Sequence, residues 1–250
     1  MTPQEQMRRR GGWLKTLWRD FTVKREMRVL LFYTSHRHKE EIKLSGLFLG
    51  NTTFLKECDV AVHCNNPKSN YLKLKKYSKF FPNENKKLIY TIKNSGYSYG
   101  HFEALADNFQ EFQYYDYVIH LHPDVYIVDE NPILNILNKY KDRPEVSLIC
   151  NKESSVIDRI NTDLFIFKPK LLTFNLFKLW EKIKEEIPVE EWFFKMVNDN
   201  NVAYVYEDRY ESDTEEQWGT WHEHKLSYVI KYFKYKYDIR NKIKTNHGKN

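Results

Sequence analysis

Short apolar runs alternating with helix-compatible stretches assign this 250-residue chain to the α/β class, with a mainly parallel central sheet flanked by helices. Three observations predict that class. The apolar runs are four to seven residues long and end in small polar residues, as buried strands do when they emerge at a sheet edge. The stretches between them carry helical periodicity and helix-closing prolines. A hydrophobic content of 41% is enough to bury one sizeable core, so a single large domain is expected.

Arg28 to Tyr33 is the first strand and stops at Thr34-Ser35; Asp59 to His63 is the second and stops at Asn65-Asn66-Pro67. Lys87 to Ile92 follows and stops at Lys93-Asn94-Ser95-Gly96. Tyr99 to Phe112 reads as a helix and leads to an apolar strand from Tyr115, with Pro132 to Tyr140 as the next helix. Val146 to Cys150, Asp163 to Phe167 and Val202 to Tyr206 are later strands, and Lys170 to Ile187 is a helical run closed by Pro188. In open sheets of this kind ligands bind outside the carboxyl ends of the strands, which would collect Thr34, Asn65, Asn94 and Asp124 along one edge.

The ends of the chain differ from its body. Residues 1–28 hold eight Lys or Arg against three acids, and residues 225–250 hold eight against one, which leaves 24 basic and 30 acidic residues between them. We therefore divide the chain into a basic amphipathic extension (1–27), a body (28–224) and a basic, Tyr- and Lys-rich segment (225–250). Trp13, Leu14, Leu17, Trp18 and Phe21 fall on one helical face among basic residues. That pattern suits docking on the body or a partner subunit, or peripheral contact with an anionic membrane.

No run of about 18 apolar residues exists to span a bilayer, and the N-terminal stretch is too charged for a secretory signal. Three cysteines without metal-ligand spacing argue for a reducing compartment, with a cytoplasmic location expected. Tyr228, Tyr232, Phe233, Tyr235 and Tyr237 interleave with Lys231, Lys234 and Lys236, a composition that can hold single-stranded nucleic acid. The acidic body offers no wide basic groove to extend it, so an amphipathic closing helix is expected instead.

The chemistry concentrates where the fourth strand ends. In Val118-Ile119-His120-Leu121-His122-Pro123-Asp124 the alternation places His120, His122 and Asp124 on one face and Ile119 and Leu121 on the other. Asp124 is the first candidate to hold Mg²⁺ or Mn²⁺, which take carboxylate, phosphate and water oxygens, with His122 as a helper. The bland reading is an Asp that caps a turn after Pro123. A loop bearing Gly96 and Gly100 opens a helix, whose free N–H groups favour an anion. Asn161-Thr162-Asp163 precedes an apolar strand and suits sugar hydroxyls, or an Asx turn. Trp218-Gly219-Thr220-Trp221-His222-Glu223-His224 combines indoles, imidazoles and a carboxylate, for a sugar face and for a metal or diphosphate.

Taken in order, these motifs resemble those of the GT-A fold glycosyltransferases, the nucleotide-diphospho-sugar transferases, from about Arg28 to His224. The resemblance implies a single GT-A-like (Rossmann-like) domain. Tyr33, Thr34, Ser35, Asn65, Lys93, Asn94, Gly96, Gly100, His122 and Asn161 are then the nucleotide-sugar-binding residues. The family's Asp-x-Asp metal motif is similar to His122-Pro123-Asp124, with Asp124 matching the second carboxylate and His122 standing where the first would be. Asp124, His122 and His224 are the implied metal ligands. Asn161-Thr162-Asp163 before Leu164-Phe165-Ile166-Phe167-Lys168-Pro169 resembles the acceptor-side motif.

The resemblance implies hexosyl-type transfer from a nucleotide-diphosphate sugar to a hydroxyl of a glycan, glycolipid or protein, with Asp163 as the first choice of base for an inverting route and Glu215, Glu216 or Glu223 in reserve. Two other classes fit some of the same residues. A zinc hydrolase would use the His120-x-His122-x-Asp124 spacing, although Val125 stands where a further His is usual. A non-enzymatic nucleic-acid binder would use the basic ends, and nucleic acid is not the expected partner.

Overall fold

The fold is described from a computed structural model, for residues 27–35, 39–64, 76, 78–90, 99–152, 159–182, 187–207, 216–218, 220–223, 225–232 and 234. Asn65, Lys93, Asn94, Gly96 and His224, like the Trp13 face and residues 235–250, lie outside the described residues. Seven strands form the main sheet: β1 (Val29–Ser35), β2 (Asp59–Cys64), β3 (Lys86–Tyr90), β4 (Tyr117–Leu121), β6 (Leu148–Lys152), β7 (Ile160–Phe167) and β8 (Tyr204–Tyr206). Their order across the sheet is β3-β2-β1-β4-β7-β6-β8. A second sheet of three strands, in the order β5-β10-β9, holds β5 (Val125–Ile127), β9 (Glu216–Gln217) and β10 (Thr220–His222).

The expected mainly parallel sheet is present. The pairs β1 with β2, β1 with β4 and β2 with β3 are parallel. β7 runs antiparallel to β4 and to β6, which makes the sheet mixed on that side, and β8 is parallel to β6. All seven residues of β1 are buried, as expected of a strand covered on both faces.

Side-chain alternation divides the core into two layers. Leu31, Tyr33, Val60, Val62, Ile119, Leu121 and Ile166 meet Ile42 and Leu49 of α1 (Lys39–Leu49) and Ile133, Ile136, Leu137 and Tyr140 of α4 (Asn131–Tyr140). On the other face Leu30, Phe32, Ala61, Val118, Phe165 and Phe167 meet α2 (Gly100–Asp107), α3 (Phe109–Phe112) and α5 (Val189–Asp199). That layer is dominated by phenylalanine, with edge-on contacts such as Phe112 on Phe32 at 4.9 Å and Phe177 on Phe167 at 5.0 Å between ring centres. A third, small cluster joins Leu44 and Phe48 of α1 to Tyr126 and to Val229 of the helix at 226–232. Among the described residues no helix is long and apolar enough to cross a membrane.

Several boundaries depart from the sequence reading for local reasons. The Tyr115 strand ends at Leu121, because Pro123 cannot continue a ladder and Val125 N–H turns back to the His122 carbonyl at 3.2 Å. The helix expected over 99–112 breaks at Asn108, whose side-chain amide bonds the Ala104 carbonyl at 2.8 Å. The helical run expected from Lys170 to Ile187 is replaced, in its described part, by two 3₁₀ pieces, Pro169–Leu171 and Leu176–Lys182. There Asn175 donates to the Ala106 carbonyl at 2.8 Å, which pins the chain between the two pieces to the end of α2.

Candidate active site

Residues from five elements meet at the carboxyl edge of β1, β2 and β4. β7 is antiparallel to β4, so its first residues arrive beside the end of β4, and His122 N–H donates to the Asp163 carbonyl at 2.8 Å. The side chains repeat that link: His122 Nδ1 lies 2.6 Å from Asp163 Oδ1, and both groups are about a quarter exposed, at 25% and 28%. Asn161 serves as the backbone anchor of this corner. Its Oδ1 accepts from Asp163 N–H at 2.7 Å and from Leu164 N–H at 3.3 Å, so the Asx geometry is present even though residues 160–163 belong to the strand rather than precede it.

Beneath the pair lies a floor of imidazoles. His101, the second residue of α2, and His120 and His122 stand with ring centres 5.1–5.5 Å apart in all three pairings. His120 has no exposed surface and sits 3.0 Å, through Nε2, from the Thr34 hydroxyl on the neighbouring strand. His63 in β2 is opposite Thr34 in the ladder and turns its ring toward Phe32.

Burial holds these rings neutral. It lowers His63 from its usual range to about 4, and lowers His120 and His101 well below the ordinary value. The neighbouring imidazole of His122 adds to the effect on both, while Asp163 opposes it at His101 and a backbone bond with Thr162 opposes it at His120. His101 and His63 were not singled out in the sequence. The available signal was their position, one residue after a helix-opening Gly and at the penultimate position of a strand.

Asp124 lies past the end of β4 in the turn to β5, half-buried, and so leaves the face shared by His120 and His122. Two elements fix that turn. Ser45 of α1 donates to the Pro123 carbonyl at 2.9 Å, and Glu223 N–H donates to the Asp124 carbonyl at 3.3 Å. The late Trp/His segment therefore does reach the metal candidate: β10 pairs antiparallel with β5, with His222 opposite Val125. Burial first, and then the charges of Glu41, Asp124 and Glu223, push the Tyr126 phenol upward.

Asp124 and Glu223, joined by that backbone bond, carry carboxylates of the oxygen-donor type that a hard divalent ion takes. Among the described residues no three His, Cys, Asp or Glu side chains converge closely enough to hold an ion alone. The fit is thus to an ion that takes one or two protein carboxylates and completes its shell with phosphate oxygens and water.

Other expected site residues fall as follows. Ser35 ends β1 with its hydroxyl buried and, among the described residues, without a hydrogen-bond partner, and Gly100 opens α2 and is itself buried. Tyr33 is a correction: its ring is on the opposite face of the sheet, 1% exposed and 5.2 Å from the Phe81 ring, and burial raises its phenol. Trp218 is also a correction, since its indole belongs to the buried core rather than to a sugar platform. Glu216 is placed by its backbone in β9, opposite Trp221. Lys168 lies at the far end of β7, away from the site, where its ammonium donates to the carbonyls of Tyr140 and, at 2.8 Å, of Arg143 beyond α4.

The arrangement was compared with known proteins. No family model matches the chain, and no curated protein matches it. Among solved structures it is similar to the glycosyltransferase GlyE of Streptococcus pneumoniae TIGR4, with 11% identity over 72% of this chain and 45% of that one, at a TM-score of 0.51. It is also similar to the mannosyltransferase PcManGT from Pyrobaculum calidifontis, a structure in complex with GDP-Man and Mn²⁺, with 12% identity over 82% of this chain and 62% of that one, at a TM-score of 0.52. The chain spans between about half and two thirds of the length of these proteins. The fold is therefore GT-A-like, as the order of motifs implies.

Proposed function

We propose that the chain is a glycosyltransferase that moves a sugar, of the hexosyl type, from a nucleotide-diphosphate-sugar donor to an acceptor hydroxyl. One observation carries the reading: in a GT-A-like sheet, the Asp124 turn, the buried Ser35 hydroxyl and the His122–Asp163 pair meet at a single carboxyl edge. Ligands of open α/β sheets occupy that edge. The two similar glycosyltransferases support the same reading through their fold.

The transition state of such a transfer has oxocarbenium character on the sugar and growing negative charge on the departing diphosphate. Asp124 and Glu223 are the carboxylates that would hold Mn²⁺ or Mg²⁺ beside that diphosphate, with His224 as a further ligand from the same segment. Such an ion would supply charge neutralisation as a Lewis acid. The Ser35 hydroxyl and the first N–H groups of α2, from Gly100 onward, donate toward phosphate or ribose oxygens. Lys93, Asn94 and Gly96, which precede α2 in the sequence, and Asn65, which follows β2, are the further residues proposed for the nucleotide.

Asp163 accepts the proton of the attacking hydroxyl in an inverting route. His122 holds that carboxylate in place through Nδ1, so its rotamer is set before the acceptor arrives. The buried neutral imidazoles of His101 and His120 keep positive charge out of the floor on which the sugar would rest.

Titration calorimetry with a panel of nucleoside diphosphates, with and without Mn²⁺, tests the reading. Binding of one diphosphate that is lost in Asp124→Ala supports it. No binding by any diphosphate under either condition defeats it.

A further inference from the structure

We propose that the outer face of the C-terminal helix, residues 226–232 continued by Lys234, is a docking surface for an anionic lipid membrane. Among the described residues, the helix is anchored by one side. Leu226, Val229 and Tyr232 pack on the cluster of Leu44, Phe48 and Tyr126, and Val229 has no exposed surface. At about 100° per residue the opposite arc then runs Ile230, Lys234, Ser227, Lys231, Tyr228. Both lysines on it are exposed, Tyr228 is 52% exposed and Ile230 39% exposed. Lys225 lies over the Tyr228 ring at 5.3 Å and adds a third cation to the same margin.

Each part of that arc matches a layer of an anionic bilayer surface. A phenol and a branched alkyl group suit the boundary between head groups and acyl chains, while lysines reach the phosphates with their ammonium groups. Charge complementarity extends beyond the helix, because residues 225–250 carry eight basic residues against one acid, whereas the body between the two basic ends carries more acids than bases. The surface also has a fixed relation to the candidate site. Lys225 N–H bonds Glu223 Oε1 at 2.7 Å, and Glu223 N–H bonds the Asp124 carbonyl at 3.3 Å, so the start of this helix is tied to the Asp124 turn. A lipid-borne acceptor follows only if the transferase reading also holds; membrane docking itself does not depend on it.

Co-sedimentation of the full chain with phosphatidylcholine vesicles, with and without phosphatidylserine, tests the surface whether or not any nucleotide diphosphate binds. Binding is expected only with phosphatidylserine, and it should weaken as salt rises. Lys231→Gln and Lys234→Gln are each expected to weaken it about fivefold, the ratio equivalent to the ~1 kcal/mol that one lysine gains near such a surface. Tyr228→Ser combined with Ile230→Ser should weaken it further at high salt, where screening leaves the apolar contribution. These side chains are exposed, so unchanged thermal melts of the variants would confirm that folding is intact.

Three results overturn the proposal. The first is no binding to either vesicle. The second is binding that these four substitutions leave unchanged but that Trp13→Ser with Trp18→Ser abolishes, which would place the contact in the N-terminal segment. The third is tight, salt-sensitive binding of a single-stranded oligonucleotide without vesicle binding, which would assign the basic face to nucleic acid.

Discussion

At the level of single residues, the His122–Asp163 contact is the feature with the most direct chemical consequence. Its 2.6 Å separation joins β7 to the end of β4 and fixes a carboxylate at the carboxyl edge of the sheet. Asp163→Asn removes the basic group while keeping its size, so turnover should fall by roughly 10²- to 10⁴-fold with nucleoside diphosphate affinity little changed, as steady-state kinetics and calorimetry would measure. A parallel loss of affinity would show that Asp163 holds the donor instead. Glu130 offers a prediction about stability. Its buried carboxylate accepts from the N–H groups of Thr53 (2.5 Å), Phe54 (3.0 Å) and Leu55 (2.9 Å) and from the Thr53 hydroxyl, which caps the 3₁₀ turn Leu55–Glu57. Burial opposes ionisation, but these hydrogen bonds outweigh it and hold the carboxyl below its usual value. The stabilisation is therefore present above the unfolded value of about 4.3 and is lost as pH falls through the lower folded value. Glu130→Gln should cost about 2 kcal/mol at neutral pH in urea unfolding, and less as the pH approaches 3.

Among the elements, α1 shows how closely the scaffold behind the site is packed. Glycine inside a helix ordinarily costs about 1 kcal/mol relative to alanine. Here a Cβ on Gly46 would stand 2.7 Å from the Phe80 carbonyl carbon and 2.8 Å from the Phe81 nitrogen, and those backbone atoms cannot swing aside. The sign reverses. Gly46→Ala should destabilise the fold by about 1–3 kcal/mol by the same unfolding assay, because the helix must move off its neighbour. The neighbouring residue Ser45 holds the Pro123 carbonyl, so that displacement should also loosen the Asp124 turn and weaken diphosphate binding in calorimetry. A stability gain in Gly46→Ala would contradict the packing described.

Over the whole molecule, buried imidazoles set the response to acid. His63, His101 and His120 are neutral in the folded chain, with burial as the leading cause, and take a proton when unfolding exposes them. Their folded values lie below the unfolded value of about 6.5, so below that pH the unfolded chain binds more protons and stability falls. For His63 alone, the fall from about 6.5 to about 4 amounts to roughly 3 kcal/mol once the pH is below both values, a large part of an ordinary folding margin. Urea midpoints should drop steeply between pH 7 and pH 5, and His63→Phe should flatten part of that slope. Much of this architecture was legible in the linear chain. Strand-length apolar runs ending in polar residues located β1, β2 and β4, and the alternation in Val118-Ile119-His120-Leu121 assigned each side chain to its face, because a two-residue period is a local property of extended backbone. The order of motifs also pointed to the GT-A-like fold. Other features depended on contacts remote in sequence. No local pattern shows that Tyr33 faces the core, that Lys168 caps a helix, or that Trp218 is core rather than surface. Nor could spacing bring His101 to His120 and His122, or seat Asp163 on His122, a contact that exists only once β7 reverses direction beside β4. Local periodicity therefore determined the elements and their buried faces, whereas the tertiary structure decided which polar ends meet, since long-range register is set by the packing of all layers at once.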